Sequence, residues 1–278
     1  MKIVKANDTN IIDVIQYAYK VNLIKEKSIR GFNTNFEVFE ARFKRSLKKI
    51  DIFVIYEDGN IIGVVDALID KENKYLEGSG IFTNEEYNEV FSFFIEYLKK
   101  EFSGYDLSMS YEKENQTAIN AFELMGGVID EPQYEYTIDT KKYNIESDVI
   151  LLSNEHVNFS EFHDNNFKNV YWDSTKLKTT DKFEVLIKVI NDKVVGEVIT
   201  TIGFKNTANI FFVAVDEKYR RNGIATELYK KAIENAYLRD IKKITLQVDE
   251  SNIKNNNLVK KLGFIQTSSN VTCSITKL

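Results

Sequence analysis

Cysteine, proline, histidine and tryptophan are scarce in this chain. It has 278 residues but one cysteine, Cys273, so an internal disulfide and a cysteine-ligated zinc site are both excluded. Cys273 itself is expected to be a small apolar residue in a terminal strand. No metal site is expected from the remaining residues.

Long apolar runs and an excess of positive charge are also missing. No apolar run approaches the roughly 18 residues of a membrane span, and Met1–Asn10 lacks the apolar core of a signal peptide. We therefore expect a cytoplasmic protein with no membrane partner. The net charge of −5 and the pI of about 5.4 argue against a nucleic-acid partner.

The residues that are present suit a folded protein of two domains. Hydrophobic residues make up 43% and charged residues 28%, and 19 Phe and 15 Tyr can fill two cores. A chain of 278 residues is long for one compact domain and suits two domains of about 140 residues each.

Two stretches repeat the same strand–turn–strand pattern. Phe53–Ala67 has apolar runs on both sides of an Asp-Gly turn, and Asp-Gly is a strong hairpin signal. Glu184–Thr201 follows the same plan around Asn191 and Asp192. Gly63 and Gly196 occupy equivalent places in the two stretches.

A second pair of similar stretches follows at nearly the same spacing. Asn115–Gly127 and Asn252–Phe264 both begin with Asn and carry Gly near their ends. The two echoes favour a tandem duplication, with chance similarity as the alternative. A polar stretch, Asp139–Ser147, follows the single proline, Pro132, so we predict domains at 1–140 and 146–278.

The C-terminal half alternates strands and helices, which predicts an α/β (α+β) domain with a mixed sheet. An apolar stripe at spacings of three and four marks its clearest helix, 223–238. The predicted elements are a strand at 148–153, a helical or mixed region at 155–175, a hairpin at 183–203, a strand at 209–215, the helix at 223–238, a strand at 243–248, a helix at 252–262 and a strand pair at 264–277.

The turn before the 223–238 helix is suited to an anion. A helix start exposes unpaired backbone N–H groups and the positive end of the helix dipole. Gly223 and the small Ala225 let a phosphate approach the backbone, Arg220 and Arg221 add positive charge, and Thr226 adds a hydroxyl. The alternative from the loop alone is a plain helix start with two solvated arginines.

This turn resembles a known family signature. Arg220–Ala225, read as Arg-Arg-Asn-Gly-Ile-Ala, is similar to the Arg/Gln-x-x-Gly-x-Gly/Ala signature of the GNAT N-acetyltransferases. Downstream, Asn252, Leu258 and Leu262–Phe264 resemble the closing Asn-x-x-x-x-x-Leu-x-x-x-Leu-Gly-Phe element. The resemblance covers about 148–278 and implies two tandem GNAT-like acyl-CoA N-acyltransferase folds, the first of them degenerate.

The resemblance also implies a cofactor and a reaction. Acetyl would pass from acetyl-CoA (coenzyme A) to a primary amine of a small molecule, an amino acid or a peptide. Strand residues would bond the pantetheine arm, and the turn would wrap the pyrophosphate. The residues implied in cofactor binding are Val213, Ala214, Val215, Arg220, Arg221, Asn222, Gly223, Ile224, Ala225, Thr226 and Asn252.

At the two positions where family members usually carry proton-handling side chains, this chain has residues of another type. Asn209 stands where members carry a carboxylate, and Val259 stands where others carry a tyrosine acid. Glu197 and Tyr171 are weaker catalytic candidates on the acceptor side. Their plainer interpretations are an exposed strand carboxylate and a packing aromatic residue. The departures keep open a non-catalytic acyl-CoA-binding or sensing protein and, less favoured, an interaction module without a cofactor.

Two histidines and a tryptophan fall in the same region. His156 and His163 are expected to be surface or capping residues, and Trp172 a packing aromatic residue.

The N-terminal half lacks the cofactor turn. Its counterpart, Gly80–Glu89, offers Thr83 or Asn84 as a helix N-cap and places Glu85 and Glu86 in the first turn. These carboxylates would repel a diphosphate, so we predict no CoA site here. Such a domain would pack against its neighbour, shape the acceptor cleft or form a homodimer.

Overall fold

The computed structural model divides the chain into two compact units. The first is Met1–Gln133 with Ser269–Leu278, and the second is Tyr134–Ser268. The residues it describes are all of 1–278 except 8, 30, 31, 33, 47–49, 144, 145, 154, 155, 157, 169, 171 and 203–206. Over those residues, every helix is too short or too polar to cross a bilayer.

Thirteen strands and eight helices are described. The strands are β1 (Lys2–Lys5), β2 (Asp51–Glu57), β3 (Asn60–Asp70), β4 (Tyr75–Phe82), β5 (Asp106–Glu112), β6 (Val128–Ile129), β7 (Gln133–Asp139), β8 (Ile150–Leu151), β9 (Phe183–Ile190), β10 (Lys193–Ile202), β11 (Thr207–Val215), β12 (Lys243–Asp249) and β13 (Ile265–Ile275). The helices are α1 (Ile11–Asn22), α2 (Phe36–Ser46), α3 (Tyr87–Glu101), α4 (Gln116–Leu124), α5 (Phe159–Asn166), α6 (Ser174–Thr179), α7 (Ile224–Leu238) and α8 (Ile253–Leu262).

The first unit is a mixed sheet with helices on both faces. Its strand order is β1-β2-β3-β4-β5-β13, with β6 also beside β13. The β4–β5 pair is parallel, whereas β2–β3 and β3–β4 are antiparallel. Phe91 and Phe122 of α3 and α4 are buried in one core, and Val14 and Phe39 of α1 and α2 are buried in the other.

The second unit repeats this architecture. Its strand order is β7-β12-β11-β10-β9-β8, with β11 and β12 parallel. Leu228 of α7 and Val259 of α8 are buried in one core. Phe159 of α5 and Leu177 of α6 are buried in the core on the opposite face. The predicted mixed sheet flanked by helices is confirmed.

The C-terminal elements agree with the sequence except at the end. The hairpin, both helices and the strand before each helix are found within a few residues of their predicted bounds. The strand pair predicted at 264–277 is wrong, because Ile265–Ile275 is one strand. A polar Ser-Ser-Asn stretch favours a turn, but here the backbone pairs with β5 from Asn270–Glu112 to Ile275–Leu107. That ladder keeps the chain extended.

The spatial units and the predicted domains 1–140 and 146–278 differ in two strands. β7 lies almost wholly in the second unit, and Ser269–Ile275 of β13 lies in the first. Strand pairing joins residues that are far apart in sequence, so local composition does not indicate it. The bounds of the duplicated sequence units stay a prediction.

The glycines that mark the sequence repeat have the same packing role. A Cβ on Gly63 would lie 3.1 Å from Val90 of α3, and a Cβ on Gly196 would lie 3.1 Å from Leu228 of α7. In each unit a helix approaches the sheet at a position where a side chain would hold it away.

The repeated asparagines also have equivalent roles. Asn115 caps α4 by accepting a hydrogen bond from the N–H of Ala118, and Asn252 caps α8 by accepting one from Asn255. Both cap residues have φ of −78°. An Asn at this place satisfies an N–H that the helix cannot.

Candidate cofactor-binding and active site

An open cavity of about 590 Å³ lies in the second unit, where two parallel strands separate. β11 and β12 are paired from Thr207–Lys243 to Ile210–Leu246. Val213–Val215, further along β11, line the cavity and pair only with β10 on their other side, within these described strands. One edge of β11 therefore presents backbone N–H and C=O groups to the cavity.

A bulge accounts for the separation. Ile199 of β10 faces Phe212, and the next residue, Thr200, faces Ile210. Phe211 is thus an extra residue in β11. Such an insertion bends the strand that carries it and increases its local twist, so β11 turns away from β12 directly after their last pair.

The turn after β11 forms an anion cradle. Gly223 is the N-cap of α7, with φ of 81°, and the first helical hydrogen bond runs from the N–H of Glu227 to its carbonyl. By helix geometry the N–H groups of Ile224, Ala225 and Thr226 have no helical acceptor. Apart from its two chain neighbours, none of the described residues has an atom within 4 Å of the place where a Cβ on Gly223 would stand. The cradle is open to a ligand at this point.

Two arginines have different surroundings in this turn. The Nε of Arg220 donates to the carbonyl of Val215 (2.9 Å), and its Nη1 pairs with Glu217 (3.1 Å). Arg220 therefore holds the turn against the end of β11. Arg221 is exposed, with φ of 70°, and makes no hydrogen bond or ion pair with the described residues. Its guanidinium is available to a phosphate.

The structure brings nearly all of the predicted cofactor residues to one cavity. Asn222 differs, because its side chain folds back to donate to the carbonyl of Tyr219 (3.2 Å) and does not line the cavity. The predicted residues that line it are Val213, Ala214, Val215, Arg220, Arg221, Gly223, Ile224, Ala225, Thr226 and Asn252.

Several lining residues were not predicted to bind the cofactor. They are Asn166, Phe167, Tyr219, Lys254, Asn255 and Leu258. Lys254 and Asn255 follow the cap residue Asn252 in the first turn of α8, so a helical projection could have found them. Phe167 follows α5, and only the tertiary fold brings it here.

The two departures from the family pattern carry side chains, an amide and an aliphatic group, that do not transfer protons. Asn209 pairs with Thr201 and with Thr245 in the middle of the sheet. Val259 is fully buried in the core beneath α7 and α8. Tyr171, one of the candidates, lies outside the described residues.

Glu197 is not the exposed strand carboxylate of its plainer interpretation. It is fully buried on β10, and its Oε1 lies 3.0 Å from the Nδ1 of His163 on α5. His163 is also fully buried, and the expectation of a surface or capping histidine is wrong. Both are covered because α5 packs on the face of β10 that carries Glu197. The catalytic role of Glu197 stays a prediction.

The other two aromatic or basic residues of this region behave as expected. His156 accepts a hydrogen bond from the N–H of Ser153 (3.2 Å) and closes a local turn. Trp172 packs edge-on against Phe183, with ring centroids 4.8 Å apart.

The corresponding place in the first unit is filled by the chain itself. β4 and β5 pair from Tyr75–Asp106 to Gly78–Met109 and then separate. Ile29 bridges Tyr111 at the opening and is fully buried. A Cβ on Gly80 would stand 2.7 Å from the Tyr111 ring. Side chains thus occupy the space that is a cavity in the second unit.

The start of α3 is acidic and carries no phosphate cradle of the second-unit type. The helix begins at Tyr87 with Glu86 as its N-cap, so the predicted cap at Thr83 or Asn84 is wrong. Thr83 is committed elsewhere, because its hydroxyl donates to the carbonyl of Ile62 (2.7 Å). The Nζ of Lys27 donates to the carbonyl of Asn84 (3.1 Å), which places a cation beside this turn.

Comparison with known proteins points to one family. Residues 151–264 match the model of the acetyltransferase (GNAT) family. A GCN5-related N-acetyltransferase from Sphaerobacter thermophilus is similar at 12% identity and a TM-score of 0.72, over 99% of this chain and 95% of that one. No curated protein is significantly similar in sequence.

Two further solved structures share the fold. A tandem GNAT protein from the clavulanic acid biosynthesis pathway, solved without AcCoA, has 11% identity and a TM-score of 0.63, over 100% of this chain and 98% of that one. A functionally unknown conserved protein from Staphylococcus epidermidis has 17% identity and a TM-score of 0.58, over 81% and 94%. At these identities the likeness establishes the fold.

Proposed function

We propose that this chain, which has a tandem GNAT fold and whose residues 151–264 match the model of the acetyltransferase (GNAT) family, transfers acetyl from acetyl-CoA to a primary amine. The amine would belong to a small molecule, an amino acid or a peptide. The observation that carries the proposal is the cavity between β11 and β12, which ends at the open cradle of Gly223.

The chemistry of the cavity suits both parts of acetyl-CoA. The pantetheine arm carries amides, and Val213–Val215 offer backbone partners along an open strand edge. The diphosphate is an anion, and the N–H groups of Ile224–Thr226 lie at the positive end of α7. Arg221 and Lys254 add positive charge at the rim. Acetyl-CoA supplies a thioester that an amine can attack.

The acceptor amine sets a second requirement. With a pKa near 10.4, a primary amine is neutral in roughly one molecule in 2,500 at pH 7. The protein must therefore take a proton from the bound ammonium for the nitrogen to attack the thioester. This requirement separates an enzyme from a protein that only binds acyl-CoA.

Calorimetric titration of acetyl-CoA into the wild-type chain and into Gly223→Glu tests the site. We expect one site per chain in the wild type and loss of detectable binding in the variant, because Glu places bulk and negative charge in the cradle. Gly59→Glu is the matched control: Gly59 has φ of 84° and also has no atom within 4 Å of a Cβ position. It should bind like wild type.

Equal losses in the two variants would contradict a site at Gly223, since backbone strain would then explain both. A wild-type chain that binds no acetyl-CoA at millimolar concentration would overturn the proposal as a whole.

A non-catalytic acyl-CoA-binding or sensing protein is the second candidate. It is favoured by Asn209 and Val259, which place an amide and a buried aliphatic side chain where the family uses proton-handling groups. A panel of small amines, amino acids and peptides distinguishes the two: binding of acetyl-CoA with no acetylated product would favour sensing.

A further inference from the structure

A buried histidine–glutamate pair lies beside the cavity in the second unit. His163 of α5 and Glu197 of β10 both have side-chain exposures of 0%, and 3.0 Å separates Nδ1 from Oε1. The imidazole is packed between the rings of Phe159, Phe167 and Phe212, at centroid distances of 5.7, 5.2 and 5.3 Å. A carboxyl group in such apolar surroundings requires a specific partner.

The hydrogen bonds determine where the histidine protons lie. The Nε2 of His163 is 3.0 Å from the carbonyl oxygen of Trp172, which can only accept, so Nε2 carries a proton. The Nδ1–Oε1 contact then needs one proton of its own, because two lone pairs at 3.0 Å would repel. The pair at rest therefore holds one shared proton and has no net charge.

The second oxygen of Glu197 has no such partner. Its Oε2 is buried and makes no hydrogen bond with any described residue. An unpaired buried carboxyl oxygen is costly, so a site that keeps one has a use for it or a water on it. Among the described residues nothing occupies this oxygen, so it is the accepting position of the pair.

The pair is one strand spacing from the cavity. Glu197 faces Ala214 directly across the β10–β11 ladder, and Ala214 lines the cavity. Neighbouring strands lie about 4.8 Å apart. On the other side Phe167 contacts the His163 ring and also lines the cavity. Two elements thus connect the pair to the place where an acceptor would meet the thioester.

We propose that the Glu197–His163 pair takes the proton of the acceptor amine, through one water on Glu197 Oε2. The proposal deepens the proposed function and rests on it. The ammonium gives a proton to the deprotonated pair, and the neutral nitrogen bonds to the acetyl carbonyl carbon. The C–S bond breaks with its electrons on sulfur, the nitrogen loses its second proton to solvent to become the amide, and the thiolate takes a proton from solvent. The pair then releases its own proton to solvent and is ready for the next amine.

The surroundings raise the pKa of both members of the pair. Burial raises the pKa of Glu197. Burial alone would lower the pKa of His163, but the hydrogen bond and charge of Glu197 outweigh it and raise that pKa. Asp164 of α5 is the further charged group that acts on both, and it is bound to the N–H and hydroxyl of Ser174. Of the described strand residues, Phe212 contacts the His163 ring, and Ala214 of β11 and Ile187 of β9 flank Glu197 in the sheet; none of the three is charged.

The sign of the pH dependence follows from this. The pair accepts a proton only after losing its own, so kcat/KM should rise with pH through an apparent pKa above the usual histidine value and then level off. A chain without the pair can use only the free neutral amine. Its rate should then rise tenfold per pH unit without levelling off until the pKa of the amine.

The test compares Glu197→Gln with wild type. Gln keeps the shape of the residue and can donate to Nδ1, so the fold and acetyl-CoA affinity should persist. At pH 7 we expect turnover to fall by about 10²–10⁴-fold, with loss of the plateau. Asp66→Asn is the matched control, because Asp66 is a buried carboxylate on β3, the corresponding strand of the first unit. Its pH profile should match wild type.

An imidazole 15N spectrum supplies a readout that needs no turnover. In wild type, Nε2 of His163 should stay protonated throughout, and Nδ1 should lose its proton above the usual histidine pKa. In Glu197→Gln, Nδ1 should lose its proton at a lower pH than in wild type. Burial lowers the pKa of His163, and the carboxylate that outweighs this effect is then missing.

The outcomes separate the two proposals. Turnover in Glu197→Gln with the wild-type rate and plateau would overturn the role of the pair while leaving acetyl transfer intact. Acetyl-CoA binding with no acetylation of any amine would overturn both. A His163 titration that is unchanged in Glu197→Gln would also overturn the pairing.

Discussion

The residues of the 220–223 turn have different structural roles, some through the side chain and one through the backbone. Arg220 is anchored by its Nε to a strand carbonyl, whereas Asn222 turns away from the cavity. Gly223 has no side chain to block the cradle, and its left-handed backbone conformation favours glycine. A signature read from sequence assigns these positions one common role, but the geometry separates anchoring, charge and space.

At this scale we predict that Arg220→Ala weakens acetyl-CoA binding about tenfold or more. It removes a hydrogen bond from a charged donor, worth about 1.5–3 kcal/mol, that holds the turn to β11. Lys218→Ala is the control: it also removes one exposed positive charge from this turn. Calorimetry should show little change for Lys218→Ala, and equal losses would mean that charge alone matters.

Whole elements position the cavity by how closely they pack. Gly196 lets α7 approach β10, with Ile224 and Leu228 each 3.1 Å from the missing Cβ. Helix α7 begins at Ile224, so its distance from the sheet also sets the place of the anion cradle. The bulge at Phe211 separates β11 from β12 beside the same cavity. Packing and bulge together form the cavity.

At the element scale, Gly196→Ala should destabilise the chain by about 1–3 kcal/mol through overpacking and also weaken acetyl-CoA binding. Gly63→Ala meets the same crowding under α3, with Ile55 3.0 Å from the added Cβ. It should cost similar stability but leave affinity unchanged. Urea unfolding and calorimetry measure the two effects, and unchanged affinity in Gly196→Ala would contradict the link.

The whole molecule contains one fold twice, with two different outcomes. In the second unit the separated strands leave a cavity, and in the first unit Ile29 and Tyr111 fill the equivalent opening. The helix that follows begins with a glycine cradle in one unit and with exposed glutamates in the other. From these differences we predict a single acetyl-CoA site per chain.

At the molecular scale, Gly80→Ala should destabilise the first unit without altering acetyl-CoA affinity. Its Cβ would stand 2.7 Å from the Tyr111 ring at φ of 121°. The single cysteine, Cys273, lies in that unit, and burial raises its pKa to about 12. Thiol labelling of the variant should therefore be faster than in wild type. If Gly80→Ala labels at the wild-type rate but loses affinity for acetyl-CoA, a site confined to the second unit is contradicted.

The sequence by itself determined the fold, the repeated plan and the likeness of the 220–225 turn to a family signature. These features depend on local signals: a glycine where φ is positive, an asparagine at each helix cap, and apolar periods of two and of 3.6. Such signals act between residues a few positions apart, so they can be read along the chain. The hairpin, the two later helices and the strand before each of them were predicted for that reason.

Only the tertiary structure decided which distant residues meet. It placed Ser269–Ile275 in the first unit, buried His163 against Glu197, and put Ile29 into the opening beside Tyr111. Each of these contacts joins segments separated by tens of residues or more. Burial is set by the layers that cover a side chain, and the sequence around a histidine or a glutamate does not state what packs over it.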